Sequence, residues 1–99
     1  MYRIAYSAGV VRDLSTLRAY DRRRLLDRIE EQLTHHPFEV TRNRKPIFGL
    51  EPPWEHEEPV WELRVGELRI FYDLQEAERT VVLRAVRRKP PGRNTEDIL

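Results

Sequence analysis

Arg64 and Arg69 lie in the stretch Val60–Leu74, VWELRVGELRIFYDL, at a spacing that can bring two guanidinium groups face to face. With Gly66 and Glu67 as the central residues of a type II′ turn, Val65 pairs with Leu68, Arg64 with Arg69, Leu63 with Ile70, Glu62 with Phe71 and Trp61 with Tyr72. In that register Trp61, Leu63, Val65, Leu68, Ile70 and Tyr72 share one face, as a core-facing hairpin requires, and a slip by one residue would scatter them. The other face then carries Glu62, Arg64, Arg69, Phe71 and Asp73, with Arg84 of a following strand alongside.

Like charges directly opposed on a sheet repel by a few tenths to about 1 kcal/mol. Two readings are open: Glu62 and Asp73 neutralise the pair as a solvated salt-bridge network, or an anion lies between the arginines. For the anion, two guanidinium forks on rigid strands offer bidentate phosphate contacts, and Phe71 offers a ring for base stacking. Cleavage of a phosphodiester held there would further need a proton acceptor, a proton donor and cations that stabilise the transition-state charge. Arg64 and Arg69 suit the cationic role. Glu62 is the candidate base, kept ionised by the positive charge around it; a plain counter-ion is the alternative.

A second basic cluster, Arg42, Arg44 and Lys45 in TRNRKP, is either a solvated loop or a grip on RNA phosphates or on the carboxylates of an acidic partner. Arg22, Arg23 and Arg24 read as a solvated helical face. His35 and His36 read as a helix end, where a cationic side chain suits the dipole. With no cysteine and with histidines only at 35, 36 and 56, no zinc-type spacing occurs, so neither a structural metal nor a cofactor is expected.

These residues need elements to hold them. YRIAY alternates as a first strand, and Ser7 can cap a helix with apolar positions Val10, Val11, Leu14 and Leu17, ending near Tyr20. Asp21 is a second cap candidate, before the stripe Leu25, Leu26, Ile29 and Leu33 that Pro37 terminates. Residues 37–59 hold five prolines and no sustained period, and read as a long loop, functional or wrapping, with at most a short extended piece around Val40 to Arg44. Its acidic part, EPPWEHEEP, reads as exposed, either shielding a basic face or solvated. The hairpin, a turn at Gln75 to Glu78 and a final strand RTVVLRAVRRK follow, then a polar tail at residues 90–99. The expected domain, spanning residues 1–99, is α+β with order β-α-α-β-β-β: a two-helix hairpin on one face of a mainly antiparallel four-stranded sheet, the other face open.

Composition sets the outer bounds. The 99 residues allow one core; no apolar run reaches the roughly 20 residues that cross a bilayer, and MYRIAYS lacks the features of a secretory signal, so a cytoplasmic protein without membrane contact is expected. The net charge of +1 conceals blocks: residues 1–50 hold ten Lys and Arg against six acids, residues 51–78 two against nine, and residues 79–99 six against two. Such separation suits a surface with distinct basic and acidic regions.

The opening strand and two helices, the hairpin LRVGELRIFY and the basic-ended strand VVLRAVRRK together resemble the RelE and ParE toxin superfamily, whose hairpin has the form L-R-V-G-x-x-R-x-x-Y. The resemblance spans nearly the whole chain. It implies a small toxin neutralised by a cognate antitoxin whose tail wraps its surface. In RelE-like members messenger RNA is cut at the ribosomal A site, which would assign Arg64, Arg69 and Arg88 or Lys89 to catalysis, with the ribosome and messenger RNA as partners. Two positions depart from that set: Glu62 stands where a lysine is frequent, and no tyrosine follows Tyr72. ParE-like members instead inhibit DNA gyrase, and a catalytically weakened antitoxin-binding homologue is the third reading.

Overall fold

In the computed structural model, which describes residues 1–99, the chain runs β1 (Arg3–Tyr6), α1 (Ala8–Ser15), α2 (Ala19–Leu33), β2 (Arg44–Ile47), β3 (Val60–Val65), β4 (Leu68–Gln75) and β5 (Thr80–Arg88). Short 3-10 turns occupy Glu76–Glu78 and Thr95–Ile98. The strands form one sheet in the order β1-β5-β4-β3-β2, with β1 parallel to β5 and the remaining neighbours antiparallel. The domain is α+β as expected, but its sheet is mixed and has five strands where four were expected. No helix is long and apolar enough to cross a membrane.

The additional strand is β2, inside the segment read as a loop. Pro46 concealed it, because proline cannot donate to a ladder and is confined to edge strands, and β2 is an edge. Its register pairs Arg44 with Leu63, Lys45 with Glu62, Pro46 with Trp61 and Ile47 with Val60.

Ser7 caps α1 as its type predicts: Oγ accepts from the Val10 amide at 3.1 Å, and the same hydroxyl donates to the Arg84 carbonyl at 3.2 Å. Helix α1 stops at Ser15, well short of Tyr20. Arg22 braces this end: its guanidinium donates to Leu14 O in the last turn at 3.1 Å and to Leu17 O just beyond it at 2.8 Å. Arg22 is therefore a structural cap rather than part of a solvated face. Helix α2 begins at Ala19, before the expected Asp21 cap; Asp21 falls in its first turn, where a carboxylate suits the helix dipole.

Both helices lie on one face of the sheet. Val10, Leu14, Leu25, Ile29 and Leu33 pack against Trp61, Leu63, Val65, Leu68, Ile70, Tyr72, Val81, Leu83 and Val86, so the apolar set that fixes the hairpin register forms the main core. Tyr72 stacks on Trp61 with ring centroids 5.9 Å apart and donates its hydroxyl to Pro37 O at 2.8 Å.

Strand β1 pairs only with Thr80–Leu83, which leaves the rest of β5 without a strand on that side. Helix α1 fills the position: the Ser7 amide donates to Leu83 O at 3.1 Å, and Asp13 Oδ2 accepts from the Val86 amide and from Arg87 Nη1, both at 2.9 Å. A bulge sits at the same place, since Phe71 pairs with Ala85 and Tyr72 with Leu83, leaving Arg84 as the extra residue.

The second face of the sheet is not open. Leu50, Val60, Phe71 and Ala85 form a smaller core there, with Ile47, Trp54, Ile98 and Leu99 packed on it. The Trp54 ring lies 5.4 Å from Phe71, and the Arg87 guanidinium sits 5.2 Å from the Trp54 centroid. EPPWEHEEP thus wraps the sheet, with Leu50 and Pro52 buried, and the end of the tail lies over the same face. The cause is visible in β4 and β5, which place apolar side chains on both faces; burying a ring such as Phe71 is worth roughly 2–3 kcal/mol.

Two outcomes are expected. Asp13→Ala strands the buried Val86 amide without an acceptor and lowers stability by about 1–3 kcal/mol in urea unfolding. Burial raises the Tyr72 hydroxyl pKa far above its ordinary 10.0, with the Arg44 cation opposing, and burial followed by the Glu30 charge raises that of Tyr6. Folded-state values above the unfolded ones give stability that is complete below the ordinary tyrosine pKa and lost as pH climbs beyond it, where the unfolded chain ionises first. Between about pH 9 and about pH 11.5 the Tm falls, and Tyr72→Phe falls less, retaining the part due to Tyr6. At neutral pH the same variant loses about 1 kcal/mol with the Pro37 hydrogen bond.

Candidate functional site

Gly66 takes φ +59° and Glu67 does not have a positive φ, the pattern of a II′ turn, so β3 and β4 pair in the register that sets Arg64 against Arg69. The two arginines differ in everything but register. Arg64 is exposed, whereas Arg69 is 6% exposed and folds back on the turn, donating from Nη1 to Gly66 O at 2.8 Å and to Leu68 O at 2.9 Å. Its Nε is buried without a partner. Burial lowers the Arg69 pKa, the Glu62 carboxylate opposes this, and the Arg64 charge adds to the lowering.

Glu62 is 4% exposed, and its Oε2 accepts from Thr95 Oγ1 of the tail at 3.1 Å. It joins none of the ion pairs of the molecule. Phe71 is fully buried beneath Trp54, so its ring is not presented for base stacking. Asp73, 1% exposed, is the acid that neutralises this face: it accepts from Arg84 Nε at 2.9 Å, Arg84 Nη2 at 3.4 Å and the Glu57 amide at 2.9 Å. The salt-bridge network anticipated around Glu62 is built on Asp73 and Arg84 instead, where the bulge turns Arg84 toward the acid.

The second basic cluster divides. Arg44 is buried on the helix side of the sheet, where Nη1 donates to the carbonyl of Gln32 near the end of α2, a partner for a carbonyl that the last helical turn leaves free. Arg42 and Lys45 stay exposed. At the end of β5, Arg88 lies 3.5 Å from Glu67 and 3.8 Å from Asp21, and the Lys89 amide donates to Glu67 O at 2.7 Å. Register therefore brings Glu62, Arg64, Arg69 and Phe71 to one face, but only Arg64 stays exposed: Trp54 covers Phe71, Thr95 of the tail holds Glu62, and Arg69 folds back on the hairpin turn.

One assembly was not apparent from sequence. Arg24 and Arg28 of α2, Asn43 before β2, and Arg64, Val65 and Gly66 at the hairpin tip line a recess of about 290 Å³. The i,i+4 spacing of Arg24 and Arg28 puts them on one side of α2, but nothing in the sequence says that this side meets the hairpin tip. Gly66 permits the approach: a Cβ there would stand 3.2 Å from Arg24 Nη2. Arg28 pairs with Glu31 at 3.2 Å, whereas Arg24 and Arg64 join no ion pair. The arrangement is cationic, shallow and able to hold an anion.

The fold is shared with known toxin–antitoxin structures. A chain of the archaeal RelE–RelB complex from Pyrococcus horikoshii superposes with a TM-score of 0.68 over 94% of this chain and 98% of that chain, at 21% sequence identity. A chain of the toxin–antitoxin complex RelBE2 from Mycobacterium tuberculosis does so with a TM-score of 0.66 over 89% of this chain and 98% of that chain, also at 21% identity. No significant match was found among curated proteins. The family model described as ParE toxin of type II toxin–antitoxin system, parDE, matches residues 4–89, from within β1 to the residue after β5. The resemblance drawn from the hairpin and the element order thus holds, and the chain belongs to the ParE toxin family of the RelE/ParE superfamily.

Proposed function

We propose that this chain is the toxin of a toxin–antitoxin pair that acts by binding its target rather than by cutting RNA, with DNA gyrase as that target. The observation that carries the reading is the burial of Glu62, held by Thr95 of the tail, and of Arg69, folded back on its own turn. A ribonuclease needs its base and its charge-stabilising cations within reach of a 2′-hydroxyl and a phosphate. Here Glu62 is held by Thr95, and Arg69 donates to two carbonyls of its own turn. Membership of the ParE family supports the same choice.

The partner in this reading is a cognate antitoxin, as in the RelE–RelB and RelBE2 complexes that share the fold. Exposed Tyr6, Val11 and Tyr20 give such a partner apolar side chains to cover. One observation favours a second reading, ribosome-dependent cleavage of messenger RNA: Arg64 and Arg69 do face each other at the hairpin positions that RelE-like members use.

Purified protein separates the two. Added to gyrase and relaxed plasmid, it is expected to block supercoiling, while messenger RNA on programmed ribosomes stays intact. Cuts within codons, together with unimpaired supercoiling, would refute the binding mechanism.

A further inference from the structure

We propose that the recess lined by Arg24, Arg28, Asn43 and Arg64 is a binding site for a nucleic-acid phosphodiester. It lies beside the hairpin tip, apart from the residues buried on the second face, and does not depend on gyrase being the target.

Three arginines from two rigid elements, α2 and β3, line one recess of about 290 Å³. At about 30 Å³ per water molecule that is room for a phosphate group with its attached sugar atoms and some solvent. No acid lines it, and the acid nearest in function, Glu31, engages Arg28 from the exposed side. Bringing Arg24 and Arg64 together without a counter-ion opposes folding, and a bound anion removes that penalty. Arginine forks match phosphate oxygens bidentately, and the Asn43 amide adds a neutral donor.

The lining also selects the kind of anion carrier. Val65 is its one apolar residue; the rest are three arginines, an asparagine and a glycine. A peptide partner is anchored by apolar or aromatic side chains entering pockets, and this recess offers nothing to receive them. A nucleic-acid backbone needs no such anchor, because its affinity comes from cations that replace condensed counterions. Exposed Arg42, next to Asn43 in the chain, adds a further cation beside the recess.

The test is fluorescence anisotropy of the purified chain with labelled single-stranded RNA, duplex DNA of equal length and a polyglutamate peptide, at several salt concentrations. Arg24→Gln and Arg64→Gln each weaken nucleic-acid binding about tenfold at low salt and reduce the slope of log K against log salt by about 1. Arg23→Gln, which removes the same charge from the same helix outside the recess, stays within about twofold of the parent. The RNA and DNA arms identify the source of the phosphodiester, and preference for either supports the site. Urea unfolding of each variant confirms that the fold is retained, as expected for side chains outside the core. Equal losses for Arg23→Gln and Arg24→Gln would reduce the effect to overall charge and overturn the proposal. So would unchanged binding in both recess variants, or tighter binding of polyglutamate than of either nucleic acid. An inactive result in the gyrase assay leaves these readouts intact, so the two readings fail separately.

Discussion

The pairing of β3 with β4 about Gly66 is the constraint from which most of the structure follows. With φ +59° at Gly66 the turn closes on two residues, and the apolar series from Trp61 to Tyr72 has one face available to it. That face takes both helices. The same alternation then forces Arg69, Phe71 and Asp73 onto the other side, where a wholly solvated surface would leave a large ring in water. Two segments without regular pairing, residues 48–59 and the tail, therefore fold over it, and every residue of β4 from Leu68 to Asp73 is buried. A two-residue turn thus dictates a three-layer arrangement of helices, sheet and wrapping chain.

The arginines show what such an arrangement does with cations. Arg22 and Arg44 complete helix ends by donating to backbone carbonyls, and Arg69 does the same for the hairpin turn. Arg84 and Arg87 are held by carboxylates, on Asp73 and Asp13. Each of these is a charge held by at least one protein acceptor, although Arg44 and Arg69 each leave a buried Nε without a partner. Arg24 and Arg64 have no such partner, and they meet in the same recess. The division separates arginines fixed by the fold from those left without a protein acceptor.

How legible each part was depended on the range of the interactions behind it. The hairpin register, the Ser7 cap and the stripes of both helices were readable, because alternation, capping chemistry and helical period are local properties of the chain. Strand β2 was hidden because Pro46 reads as a breaker unless the strand is known to be an edge. The opposed arginines at 64 and 69 were anticipated, but the burial of Glu62 and Phe71 was not, since the residues that cover them come from a proline-rich segment and the tail and show no period. Arg24 looked like part of an ordinary solvated helix face because its neighbour in the fold, the hairpin tip, lies about forty residues away in the chain.

The sequence alone determined the order of the elements other than β2, the face of the hairpin that enters the core, and the family, because those rest on spacing within a few residues of each other. Tertiary structure alone decided which cations remain free. Whether Arg24 and Arg64 meet in one recess, or Arg87 reaches Asp13, depends on where distant chain segments come to rest. The buried polar groups there must find partners among whatever those segments bring.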